Sequence, residues 1–281
     1  MNSHNETHNK ILSNGSVAVV GFVYDKQSSY MQGPALAPAA IRAALHCDSS
    51  NLCAENRVDL GNEIRFVELD DLMLNDISEP FGLIEKTVAH ILEQNAYVLA
   101  LGGDHSITYP ILRAYRNAYP ALTVVHLDAH PDIYDHFEGN RYSHACPFAR
   151  IMEEQLTNRL IQVGIRTLNP HQRRQTKKFG VEVIEMKDWH PECVSDIAGP
   201  VYLSLDMDVL DPAFAPGVSH HEPGGLSTRD VIQLIHSIPG PIVGADIVEY
   251  NPKRDLVNIT AMAAAKFLKE IAGKMIGKTN F

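Results

Sequence analysis

The 281-residue sequence predicts a doubly wound α/β protein, with one parallel sheet of about eight strands covered by helices on both faces. Short apolar runs alternate with longer stretches of helical period, the order of strands joined through helical crossovers. Runs such as 123–127 are apolar nearly throughout, as in strands buried on both sides. No repeat, low-complexity segment or long linker divides the chain, and 45% apolar residues suffice for one large core.

The elements follow in order. The Val-rich run 17–23 is the first strand, and helix 38–45 opens on Pro38, which a first helical turn tolerates, and continues Ala-rich. A second strand covers 65–69. Helix 81–94 repeats apolar residues at Ile84, Val88 and Ile91, and strand 97–101 stops at Gly102-Gly103. Helix 109–118 leads to strand 122–128, and helix 147–155 opens on Pro147. Strands follow at 160–165, 181–184 and 201–206. Helix 228–237 begins after Ser227, a favoured capping residue; strand 241–246 and the Ala-rich helix 259–274 complete the pattern.

The chain carries 24 Lys and Arg against 34 Asp and Glu, a net charge of -10. Nucleic acid, which needs a basic surface, is therefore disfavoured as a partner, whereas a small cationic substrate suits this charge. No run approaches the ~18 consecutive apolar residues of a membrane span. Residues 1–14 are polar and read as a loose tail, in which His4 and His8 are solvated, ahead of one catalytic domain over 15–281. A cytoplasmic location is the expectation. Four cysteines form no CxxC pair.

Three strands run directly into His and Asp clusters. After 97–101 comes Gly102-Gly103-Asp104-His105-Ser106; after 122–127 comes Asp128-Ala129-His130-Pro131-Asp132; after 201–205 comes Asp206-Met207-Asp208. Asp128, His130 and Asp132 are spaced by two, so an extended chain points them to one side. Asp206 and Asp208 repeat that spacing. A single Asp-x-Asp is commonly a turn or helix cap. Three clusters ending three strands point instead to shared cations, because converging carboxylates repel unless neutralised. Two imidazoles with four carboxylates suit a hard-to-borderline divalent ion such as Mn²⁺. Ligands of open α/β sheets bind beyond the carboxyl ends of the strands, where these clusters lie.

These residues resemble the ureohydrolases, the family of arginases, agmatinases and related guanidino-acid hydrolases. The similarity begins at Gly33-Pro34 and Ala39-Ala40-Ile41-Arg42 and runs through GGDHS, DAHPD, SLDMDVLDPAFAPG and GADIVEYNP. The segments 132–145 and 217–225 are most similar to plant-type arginases and their bacterial relatives.

The resemblance implies a three-layer α/β/α fold and two Mn²⁺ per chain. One ion would be held by His105, Asp128, Asp132 and Asp206, the other by Asp128, His130, Asp206 and Asp208, with Asp128 and Asp206 bridging. The implied reaction is attack of an activated water on a guanidinium carbon, releasing urea. Asp132 would pass a proton to the leaving amine and His144 would exchange protons with solvent, a task suited to its pKa near about 6.5. Glu249 would bind the substrate guanidinium. Asn140, Arg141, Ser143 and Asn169 are the candidate readers of the substrate tail. Asn169 stands where animal-type arginases have an acidic residue, a departure that plant-type arginases share and that removes the most direct argument for arginine. Arginine is still favoured, with agmatine and a guanidino acid such as guanidinobutyrate as alternatives. A non-catalytic binding protein on the same fold is the reading from another class, and metal content separates it. A homo-oligomer, trimer or hexamer, is the expected assembly.

Overall fold

The computed structural model describes residues 12–277, so the tail expected over 1–14, with His4 and His8, lies almost wholly outside the described residues. In chain order the elements are β1 (Val17–Val23), α1 (Ala37–Leu45), β2 (Phe66–Glu68), β3 (Leu72–Met73), α2 (Pro80–Glu93), β4 (Tyr97–Leu101), α3 (Thr108–Ala118) and β5 (Thr123–Leu127). They continue with α4 (Pro147–Glu153), β6 (Arg159–Ile165), α5 (Pro170–Phe179), β7 (Glu182–Glu185), β8 (Val201–Asp206), α6 (Thr228–Ser237), β9 (Ile242–Val248) and α7 (Ile259–Ile276).

The sheet has nine strands in the order β2-β1-β4-β9-β8-β5-β6-β7, with the two-residue β3 also pairing with β1. Every ladder is parallel. Alternate strand residues feed separate cores, as a period of two requires. Val17, Val19, Leu99, Leu101, Val125 and Leu127 pack with α1, α6 and α7, whereas Ala18, Val20, Val98, Ala100 and Val124 pack with α2, α3 and α4. The result is three layers.

Helix α5 was not anticipated. Its ten residues PHQRRQTKKF bury only Gln172, Gln175 and Thr176, so no apolar stripe announces it. Its ends are written in polar residues instead. Asn169 and Gln172 form a reciprocal capping box, Pro170 opens the helix, and Gly180 closes it in the left-handed region at φ 68°.

The loop after β4 sits against β1 with no space to spare. A Cβ on Gly103 would lie 1.7 Å from the Tyr24 carbonyl oxygen, and the Gly103 carbonyl accepts from the Glu249 N–H at 3.0 Å. Gly103→Ala is expected to cost about 3 kcal/mol, because backbone rather than a flexible side chain must give way. Thermal unfolding checks this; an unchanged midpoint would contradict the contact.

Candidate metal centre and catalytic cavity

The strands β4, β9, β8 and β5 are consecutive neighbours in the middle of the sheet, and their carboxyl ends carry the chemistry. His105 follows β4, Glu249 follows β9, Asp206 ends β8 with Asp208 two residues beyond it, and Asp128, His130 and Asp132 follow β5. All six residues expected to hold cations converge. His105, Asp128, Asp132 and Asp206 offer ligand atoms within one cation's reach of each other, and Asp128, His130 and Asp208 form an adjoining group.

Buried His105 Nδ1 lies 3.3, 3.1 and 3.3 Å from carboxylate oxygens of Asp128, Asp132 and Asp206, yet has no hydrogen-bond partner. Its other nitrogen explains the orientation. Ser204 Oγ donates to Asp246 Oδ1 at 2.7 Å, so at 3.0 Å from His105 Nε2 it can only accept. Asp246 is itself held by the hydroxyls of Tyr202 and Thr108. The His105 hydrogen therefore sits on Nε2, and the Nδ1 lone pair faces three carboxylates. In the neutral ring that lone pair suits a divalent cation; without one, the same nitrogen takes up a proton from the surrounding acids.

His130 Nδ1 lies 2.9 Å from Asp208 Oδ2, and Asp208 Oδ1 accepts from the Ala129 N–H at 3.1 Å. The guanidinium of Arg166 donates to the carbonyls of Gly164, Asp208, Val209, Leu210 and Glu222, pinning the Asp208 turn to the end of β6. Asp132 and Glu249 both have left-handed backbone, at φ 43° and 61°. Such conformations cost of order 1–3 kcal/mol for residues other than glycine and concentrate at functional sites.

The electrostatics are those of crowded acids. Burial, then Asp208 and Asp128, hold the Asp206 carboxyl well above its ordinary pKa, and burial with Asp128 raises Asp208 to about 6. Burial works against the His105 and His130 imidazoliums, but the surrounding aspartates outweigh it and raise both well above the usual value. Asp128 goes the other way. Burial opposes its charge, and His126, His105 and His130 more than compensate, so it stays ionised far below the ordinary range. Asp104, in the same motif as His105, is occupied elsewhere, capping Ser106 and accepting the Gln27 N–H.

Beside this centre lies a cavity lined by His130, Asp132, Asp206 and Asp208, with His144 and Glu249 on its wall. His144 Nδ1 and Glu249 Oε1 are 2.8 Å apart, and Oε1 also accepts the His105 N–H at 2.8 Å. Among the described residues nothing hydrogen-bonds Glu249 Oε2. Burial opposes the His144 imidazolium, but Glu249 raises its pKa to about 9, above the value of about 6.5 expected from the sequence.

Asn140, Arg141, Ser143 and Asn169 do not line the cavity, and exposed Arg141 pairs with Glu153. Exposed Asn140 is occupied by Gln27 Oε1 and the Tyr142 N–H, and buried Ser143 accepts from the Ala145 N–H. Asn169 caps α5 and donates to Tyr134 Oη at 2.5 Å. Away from the carboxylate cluster the cavity wall includes Ser29, Tyr134, Phe137, Thr167, Gln172 and His220. Tyr134, Phe137 and His220 lie in the segments 132–145 and 217–225 that the resemblance singled out, whereas Ser29, Thr167 and Gln172 carried no signal.

This fold and this centre define a metal-dependent amidino hydrolase. The model of the Arginase family matches residues 15–273, and the chain belongs to that family. It is 44% identical to mitochondrial arginase 1 of Arabidopsis thaliana, over 92% of this chain and 81% of the relative. It is 32% identical to an agmatinase of Bacillus cereus, over 91% and 90%. The solved arginase of Medicago truncatula superposes with a TM-score of 0.87 at 40% identity, covering 92% of this chain and 87% of that one. The protein acts on a small guanidino substrate.

The expected cytoplasmic location is overturned by these relatives, since the similar Arabidopsis enzyme is a mitochondrial arginase. The expectation rested on a polar N-terminal stretch, which does not distinguish the cytosol from an organelle interior. Among the described residues no helix is long and apolar enough to cross a membrane.

Proposed function

We propose that the protein hydrolyses the guanidinium group of L-arginine to urea and ornithine, using two Mn²⁺ held by His105, Asp128, His130, Asp132, Asp206 and Asp208. The observation that carries the metal part is the His105 Nδ1 lone pair, turned by Ser204 into a trio of carboxylates. When bound, the ions supply charge compensation and an acidified water at neutral pH. A trimer or hexamer belongs to the same reading; Leu256 and Val257, 94% and 76% exposed, offer apolar surface for subunit contact.

The protein's own groups divide the remaining work. Glu249 Oε2 is free to accept guanidinium N–H bonds while Oε1 stays bound to His105 N–H and His144. Asp132 lines the cavity on the centre's side and would hand a proton to the departing amine. His144 has a partner in either protonation state. When neutral, its Nε2 accepts the Ser29 N–H at 3.1 Å; when charged, Nε2–H can donate to Ser29 Oγ at 2.8 Å. A histidine stabilised in both forms suits proton exchange with solvent.

Arginine differs from agmatine by its carboxylate, and two unused donors on the tail-side wall favour arginine. Asn169 Oδ1 accepts the Gln172 N–H, which fixes its amide and makes Nδ2 the donor to Tyr134. The Tyr134 hydroxyl hydrogen is therefore left for the cavity. Gln172 Oε1 accepts the Asn169 N–H, which leaves Nε2 as a second free donor. Tyr134→Phe is expected to raise KM for arginine about tenfold, the loss of one hydrogen bond to a charged group, and to leave agmatine kinetics unchanged. Equal effects on both substrates would contradict this assignment.

The test of the function is urea release by manganese-loaded protein from arginine and from agmatine at equal concentration. Preferential release from arginine supports the reading. Preference for agmatine would move the substrate and keep the metal chemistry, and urea from neither would favour a guanidino acid or a binding protein.

A further inference from the structure

We propose that His126 and Gln162 form a positioning relay that fixes the Asp128 carboxylate for the cations, and that His126 is not itself a cation ligand. The inference rests on the metal reading above and assigns a role to two residues outside the expected ligand set.

His126 and Gln162 face one another across the β5–β6 ladder, and both are fully buried. The Gln162 amide group reaches the Pro131 carbonyl at 2.6 Å and His126 Nδ1 at 3.1 Å. A proline carbonyl can only accept, so the atom facing it is the amide nitrogen. The second hydrogen of that nitrogen points at His126 Nδ1, which must therefore present a lone pair. A neutral ring with a lone pair on Nδ1 carries its hydrogen on Nε2. Asp128 Oδ2 lies 2.8 Å from Nε2 and accepts that hydrogen.

The ring cannot turn away. Phe148 stacks on it with centroids 3.9 Å apart and an interplanar angle of 26°. The His130 N–H holds the other oxygen, Asp128 Oδ1, at 2.5 Å. Each carboxylate oxygen thus receives one N–H and keeps lone-pair capacity for a cation. Pro131 belongs to the same turn as Asp128, His130 and Asp132, so Gln162 ties the turn and the ring to one strand.

The competing role is coordination, since His105, His126 and Asp128 lie within one cation's reach. The Gln162 contact argues against it, because Nδ1 is engaged and Nε2 carries a hydrogen aimed at Asp128. An outer imidazole that orients a ligand carboxylate raises metal affinity without adding a bond to the ion.

The test compares His126→Phe, His126→Gln and Gln162→Met in the full chain. Phe keeps the stack on Phe148 and removes the N–H, whereas Gln returns an amide N–H at about the reach of Nε2. Equilibrium dialysis against buffered Mn²⁺ gives stoichiometry and affinity, and circular dichroism in chelator reports folding. The relay predicts about two Mn²⁺ per chain at saturation for every variant, with affinity 10–100-fold weaker in His126→Phe. His126→Gln should recover most of the loss, and Gln162→Met should fall between. Wild-type affinity in His126→Phe would overturn the relay, and so would a fall to one Mn²⁺ per chain, which would make His126 a ligand. If His126→Phe does not fold, wild-type affinity in Gln162→Met overturns it alone. A wild-type protein that holds no manganese would remove the metal reading itself.

Discussion

Asp206→Asn is expected to lower kcat/KM for urea release by at least about 10³-fold, because a neutral amide would compensate a divalent cation held with His105, Asp128 and Asp132 far less well than a carboxylate. In chelator the same substitution should raise the melting temperature by a few degrees. The opposite signs follow from the electrostatics. Burial, Asp208 and Asp128 push the Asp206 pKa well above its ordinary value, so the unfolded chain gives up this proton more readily than the folded one. Its contribution to stability is full below the ordinary pKa and is lost as pH rises through the folded one. At neutral pH the metal-free fold therefore bears that penalty, and asparagine removes it while still accepting the Asp208 N–H, held at 2.8 Å. Calorimetry with and without Mn²⁺, beside a urea assay, checks both halves. Lower stability in chelator would mean that Asp206 holds the fold together rather than straining it.

The same physics decides what the sequence could reveal. Strands β4, β5 and β8 were legible because buried parallel strands are apolar on both faces and end abruptly in charge. The His and Asp clusters were legible because spacing by two puts side chains on one side. His126 obeys that spacing too, two residues before Asp128, but its apolar neighbours hid it within a strand. Helix α5 was invisible to hydrophobic period, since its polar residues bury little; only Asn169, Pro170, Gln172 and Gly180 marked it. The tail-side wall was the least legible part. Gln172 reaches the cavity because a capping box bends its side chain back, and Asn169 fails to reach it for the same reason. Such outcomes depend on where a loop passes, which no local pattern of residues encodes.

Lowering the pH should weaken Mn²⁺ binding steeply, by at least about tenfold per unit between about pH 8 and about pH 6, if one proton or more is displaced on binding. His105 and His130 are held well above the ordinary imidazole pKa by their aspartates, and Asp206 and Asp208 are raised by burial and mutual repulsion. Without a cation these groups share protons that relieve the repulsion. A divalent ion does the same work better, but it must first expel them, so proton and metal compete for one set of lone pairs. The direction is fixed by all four shifts being upward: more protons are bound in the metal-free protein than in the loaded one, and acid favours the metal-free form. Asp128, already ionised, contributes nothing to the slope. Calorimetric titration of Mn²⁺ in buffers of different ionisation enthalpy counts the released protons directly. A pH-independent affinity would show that the carboxylates meet the metal fully ionised, which would require a screening cation already present in the unloaded protein.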